Sequence, residues 1–258
     1  MVKLLNILSE KIAGNKTPSF ISHQLLLKEY EEEEKILVVP SLKYFGNDWN
    51  LLQSFLKSKG NPKWKLLDDL DLDNSSIKTL GNLQYVGGGL FLRNTPIESL
   101  GNLQSVGGYL DLSHSPIESL GNLESVGGGL FLRNTPIKSL GNLISVGSYL
   151  ELRNTQIESL ENLQSVGGNL NLSDTEIKSL GILQSVGGNL GLGNTSIESL
   201  GNLQYVGDGL YLGNTPIKSL GNLQSVGGNL YLNFTPLSEK YTEEEIGQMV
   251  NVKGVIFM

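Results

Sequence analysis

Several places along the chain carry side chains that could do chemistry. Asp69, Asp71 and Asp73 alternate as the first oxygen ligands of a calcium loop do. The glycine such a loop needs next is Asn74, and its closing glutamate is Leu80. Leu70 and Leu72, between the carboxylates, fit a strand, so no metal site is expected there. Asp111, Ser113 and His114 have the residue types of a nucleophile and base relay. They crowd into one extended segment, where successive side chains alternate in direction and cannot converge, so no catalytic residue is expected. Gly-Gly pairs recur at Gly87-Gly88, Gly107-Gly108 and onward. A phosphate loop would continue into Gly-Lys-Ser/Thr and a helix N-terminus. Neither follows, so the pairs read as turn glycines and no cofactor is expected. The remaining candidates are recognition residues: Phe91, Arg93, Tyr109, Asp111, Phe131, Arg133, Tyr149, Glu151 and Arg153. Aromatic side chains and arginine are the types that carry interface energy.

The elements that must position these residues come from an internal repeat. Ile77 opens a unit that returns every 20 residues, at Ile97 and so on to Ile217. Its pattern is IxSLGNLQSVGGxLxLxNTP. Six apolar slots, Ile77, Leu80, Leu83, Val86, Leu90 and Leu92 in the first unit, hold the same residue in all eight units. Leu90 and Leu92 are two apart and share one face of a strand. The other four, spaced by three, suit extended or tightly turned backbone rather than a long helix. Twenty residues are too few for a strand, a full helix and two turns. Each unit is therefore expected to be one short strand plus a compact, largely helix-free return. A single unit cannot bury its apolar side, but stacked units can. The strand pattern begins at residues 69–73 and ends at 229–233, which predicts about nine parallel strands.

The LxLxxTxI pattern (Leu90, Leu92, Thr95, Ile97) resembles a leucine-rich repeat of the short, 20-residue kind, and VGGxLxL is similar to the repeats of receptor L-type domains and of uncharacterised bacterial and phage arrays. That family usually carries Asn or Cys where this chain has Thr95, Ser115 and Thr135. A small inward hydroxyl can make the same hydrogen bond to the adjoining backbone. The resemblance implies a right-handed solenoid, mainly β, and says little about function.

Three regions are expected: a helical N-terminal cap over 1–68, the array over 69–236, and a helix-plus-strand C-terminal cap over 237–258. Trp49, Leu52, Phe55 and Leu56 make one apolar helix face, with Asn47 or Asp48 as N-cap and Gly60 as stop. A second helix is expected from about Ser22 to Leu37, with Glu31 to Glu34 as a solvated run. Thr242 and Glu245 form a capping box, and Gly254 to Met258 reads as a closing strand.

The chain has 258 residues, a net charge of −7, two histidines and no cysteine. The absence of cysteine removes disulfides and thiolate zinc sites, and the acidic balance argues against nucleic acid. No apolar run reaches the ~20 residues of a membrane span. MVKLLNILSEKIAG lacks the pattern of a signal peptide, so a cytoplasmic monomer is expected. The strand residues that point outward are expected to line a concave face. They vary from unit to unit while the apolar slots do not. They are rich in aromatics and arginine up to Arg153 and blander beyond, until Tyr211, Tyr231 and Phe234. The expected function is non-catalytic binding of a protein partner on this face. The alternatives are a structural or assembly component and a glycan-binding module.

Overall fold

A computed structural model describes residues 36–258. Each repeat unit forms one coil of a parallel β-solenoid of about eight turns, and the coils stack in register. Leu150 pairs with Leu130 on one side and Leu170 on the other. All 48 repeated apolar slots are buried and form one continuous core. Burying a Leu, Ile or Val stabilises by roughly 1.5–3 kcal/mol, a gain that exists only because each coil covers its neighbours.

The coil holds more strand than its sequence pattern suggests. The leucine strands run from Leu70–Asp71 to Leu230–Tyr231 as expected, and Ile256–Phe257 adds a tenth to their sheet. The return carries a second strand, Ser105–Val106 in a typical unit, and these build an eleven-stranded parallel sheet. A strand of two residues next to Gly-Gly is too short to show an alternating pattern, which is why it is invisible to periodicity. A third stretch, at the Ser of IxSL, pairs only in isolated bridges such as Ser119 with Ser139.

The turn residues do three separate jobs. The Thr column is buried, and Thr95 Oγ1 donates to the Leu92 carbonyl at 2.7 Å, a bond repeated down to Thr235 with Leu232. The position before it is left-handed in every coil from Asn74 to Phe234, where Asn is tolerated because its short side chain bonds locally. Glycine divides into two kinds. Gly141 (φ +59°) supplies left-handed backbone. Gly107 has no such φ; there a Cβ would run into the Gly87 carbonyl oxygen of the neighbouring coil. The first glycine of each pair, read from sequence as a turn glycine, is thus required by close stacking of coils, while the second is replaced by Ser148 and Asp208.

At the N-terminal end, α1 (Trp49–Ser58) is capped by Asp48, whose Oδ1 accepts from Asn50 N and Leu51 N at 2.8 and 3.1 Å. It buries Leu52, Phe55 and Leu56, and Trp49 packs on Trp64 at 6.0 Å between ring centroids. The cap is not helical alone. Leu37–Val39 and Trp64–Leu66 are strands that extend the eleven-stranded sheet. Leu37, expected to end a helix, therefore lies in a strand, while Ser22 to Lys35 with the Glu31 to Glu34 run lie outside the described residues. At the other end, Thr235 caps a short helix not expected from sequence, α2 (Pro236–Lys240). The Thr242 and Glu245 capping box opens α3 (Glu243–Met249), and the closing strand follows.

Candidate functional site

The leucine strands place every second side chain outside the core. Phe91, Asp111, Phe131 and Glu151 lie side by side in one column, each paired in register with the next. Tyr109 and Tyr149 precede their strands and stand 48% and 47% exposed. Arg93, Arg133 and Arg153 follow and are exposed. All nine candidate residues thus share the outward face of one sheet.

That face is laid out as a checkerboard. Three of the four repeat coils with an aromatic in the central column have glycine two residues earlier, Gly89 with Phe91, Gly129 with Phe131 and Gly209 with Tyr211; the fourth has Asn229, whose Nδ2 donates to the Tyr231 hydroxyl at 3.2 Å. Coils with Tyr in the first column carry an acid in the centre: Tyr109 with Asp111, Tyr149 with Glu151. The geometry explains the rule. A Cβ at Gly89 would sit 2.8 Å from the Phe91 ring, and one at Gly209 would sit 2.9 Å from the Tyr211 ring. Each ring folds back over its own glycine. Gly129 supports two rings, Phe131 and Tyr109, whose centroids are 6.3 Å apart and inclined by 29°. A ring laid on backbone has little freedom left to lose on binding.

The charged members are already engaged sideways. Arg93 Nε lies 3.6 Å from Asp73 Oδ2, Arg133 reaches Glu151 Oε2 at 3.8 Å, and Arg153 holds Asp174 Oδ2 at 3.0 Å. Asp174 is held below the usual carboxylate range, first by the Asn194 amide and then by Arg153. Asp111 Oδ1 accepts from Ser113 N at 2.9 Å, and Glu151 Oε1 from Arg153 N at 3.1 Å. Arg153 is oriented by two contacts to Asp174, while Arg93 and Arg133 only approach their acids; Asp73 and Asp174 were not among the candidates.

A second aromatic set lies at the far end of the same face. Tyr211, Tyr231 and Phe257 stack with successive centroids 4.7 Å apart, the rings within 8° and 6° of parallel. Phe257 was beyond the reach of the 20-residue period, because a 26-residue step from Tyr231 brings it into register. Phe234, in left-handed backbone, stands 82% exposed.

The other chemical candidates resolve into structure. Asp69 Oδ1 accepts from Gly89 N at 2.6 Å, Asp71 Oδ1 from Asp73 N at 3.1 Å and Asp73 Oδ1 from Arg93 N at 2.7 Å, so these carboxylates cap backbone. His114 fills the left-handed turn position, and its Nε2 lies 3.5 Å from Asn134 Nδ2. No helix among the described residues is long and apolar enough to cross a membrane. No protein-family model matches the chain, and no curated protein is significantly similar to it.

Proposed function

We propose that the chain is a non-catalytic binding scaffold of the leucine-rich-repeat type that docks a protein partner on the outward face of its leucine sheet. One observation carries the reading. The apolar slots and turn positions are near-uniform from coil to coil, while the central column of this face alternates acid and aromatic from Asp71 to Glu151. Phe91, Tyr109 and Phe131 lie over glycine and Arg153 is held by Asp174, so binding orders few of these side chains and retains more of its contact energy. Tyr109 and Tyr149 are the exposed anchors, Phe131 supports Tyr109, and Arg133 and Arg153 supply donors.

The test is affinity capture from the native cell, comparing wild type with Phe131→Ala/Arg133→Ala/Arg153→Ala and with Tyr109→Ser/Tyr149→Ser. The expected result is a protein recovered by wild type and lost with both variants, each of which keeps the wild-type unfolding midpoint within a few degrees. If every specific partner survives both changes, the face is decoration and a structural or assembly role replaces this reading.

A further inference from the structure

The opposite side of the coil holds an unexplained feature. Two glutamine side chains near the N-terminal end lack hydrogen-bond partners. Gln53 Nε2, on α1, is buried and makes no hydrogen bond. Gln84 as a residue is 7% exposed, and its amide, which makes no hydrogen bond among the described residues, keeps some open surface. Buried amides are normally satisfied, because an unmade bond costs the desolvation of the group. The backbone singles out Gln84 as well. Trp64 pairs with Leu83 and Lys65 with Tyr85, which leaves Gln84 as the extra residue of a β-bulge. A bulge re-aims the side chain it carries.

Both residues line hollows on this side of the coil. Gln53 lines a hollow of about 300 Å³ with Asn61, Trp64 and Asn82. Asn61 and Asn82 also line a second hollow of about 460 Å³, which takes in Gln84 and then Asn102, Gln104 and Asn122. A third, of about 320 Å³, shares Asn142 and ends at Ile144 and Ile182. The shared walls make one trough crossing seven coils, roughly 30 Å at ~4.8 Å per strand. Ile144 and Ile182 interrupt the Gln and Asn columns and are 42% and 43% exposed.

The lining selects a chemistry. Amides offer donors and acceptors in equal measure. Asn102 Nδ2 donates along the ladder to Asn82 Oδ1 at 3.1 Å and Asn122 Nδ2 to Gly101 O at 3.2 Å, which leaves the Asn122 side-chain oxygen as an acceptor. Lys63 and Glu124 are the one cation and one anion among the residues of the 460 Å³ hollow, so it carries no net charge to hold a polyanion. The trough runs across the strands, so a peptide finds no sheet edge to pair with. Hydroxyls that both give and accept, on a linear chain with apolar C–H faces, match the amides and the two isoleucines.

We propose that this trough binds a neutral, unbranched oligosaccharide, with its terminal sugar against Gln84 and beside Gln53. The site is independent of the leucine-sheet face. The test titrates the full chain with cellohexaose, chitohexaose and maltohexaose while following side-chain amide resonances by NMR. The expected result is that at least one sugar shifts Gln53, Gln84 and Asn102 saturably. Gln84→Leu then weakens binding at least about tenfold, the cost of losing a buried hydrogen-bond partner, and Tyr149→Ser leaves it unchanged. If Gln84→Leu does not fold, the exposed pair Asn122→Ala/Asn142→Ala carries the same expectation. Silence from all three sugars, unchanged affinity in the trough variants, or loss of binding in Tyr149→Ser overturns the proposal.

Discussion

The two sheets of the solenoid share one coil spacing and one parallel register, yet their outward faces obey different rules. In the Ser-Val sheet the outward position is Ser105, Ser125, Ser145, Ser165, Ser185 and Ser225, with Tyr only at 85 and 205. The glycine that follows Val in every unit is confined by backbone: a Cβ at Gly147 would strike the Gly127 carbonyl. In the leucine sheet the corresponding glycines meet side chains, as Gly129 meets Tyr109 and Phe131 at 3.2 and 3.3 Å. Backbone cannot yield, whereas a ring can rotate. The same packed core therefore imposes uniformity on one side and permits variety on the other. On the uniform side, departures such as the Gln84 bulge, Ile144 and Ile182 are informative because the rest is so constrained.

The largest effect should come from the core that both sheets share. Leu130 is fully buried, and Leu130→Ala should cost about 2–5 kcal/mol, read as a fall in the denaturant midpoint. Because coils touch only their neighbours, the loss should be greatest mid-array and smaller at Leu232. An equal loss at both would mean that the array unfolds as one indivisible unit. Next comes the glycine contrast. Gly147→Ala must push two backbones apart and should cost about 1–3 kcal/mol, as overpacking does. Gly129→Ala need only tilt a ring, so it should cost under about 1 kcal/mol while displacing Phe131 and weakening capture of a partner. Equal costs at the two glycines would erase the distinction between the faces.

The sequence shows most of this architecture, and the gaps have physical causes. The leucine strands, the Asp48 cap of α1 and the Thr242–Glu245 box are written in local patterns that need only neighbours in the chain. The Ser-Val strands are not, since two residues define no period. The strands at Leu37–Val39 and Trp64–Leu66 form by joining a sheet that already exists, which is a tertiary reason. The candidate residues could be placed on one face because alternation along a strand is strict. The pairing of ring with glycine could be read only after the rings were seen folded back. Phe257 was placed in a closing strand, but its stack on Tyr231 was not legible because the step between them breaks the 20-residue count. Gln84 escaped notice because it looks like every other Gln in its column.

The Thr column gives the next smaller effect. Thr155 Oγ1 donates to the Leu152 carbonyl at 2.6 Å inside the core. Thr155→Val keeps the shape, removes the donor and should cost about 1–2 kcal/mol. Thr155→Ser should restore most of it, as Ser115 already makes the bond to Leu112 at 2.7 Å. If Val proves neutral, the hydroxyl column is a solvation relic and the turn is held by the left-handed Asn alone.

The smallest effect separates orientation from stability on the variable face. Asp174 is ionised more readily than an ordinary aspartate, because the Asn194 amide and then Arg153 favour the charged form. A carboxyl with a depressed folded pKa contributes stability above its unfolded pKa and loses that contribution as pH falls through the folded one. The Arg153 contact should therefore persist at neutral pH and dissolve in acid below the ordinary range, read as a change in the Arg153 Nε resonance. Asn194→Ala should raise that transition. Because the pair is exposed, neither acid release of Arg153 nor Arg153→Ala should move the unfolding midpoint measurably. Partner capture should nonetheless fall once Arg153 is no longer aimed. A midpoint that drops with Arg153→Ala would place the arginine column among the groups that hold the coils together, and the contrast between a constrained sheet and a free one would have to be redrawn.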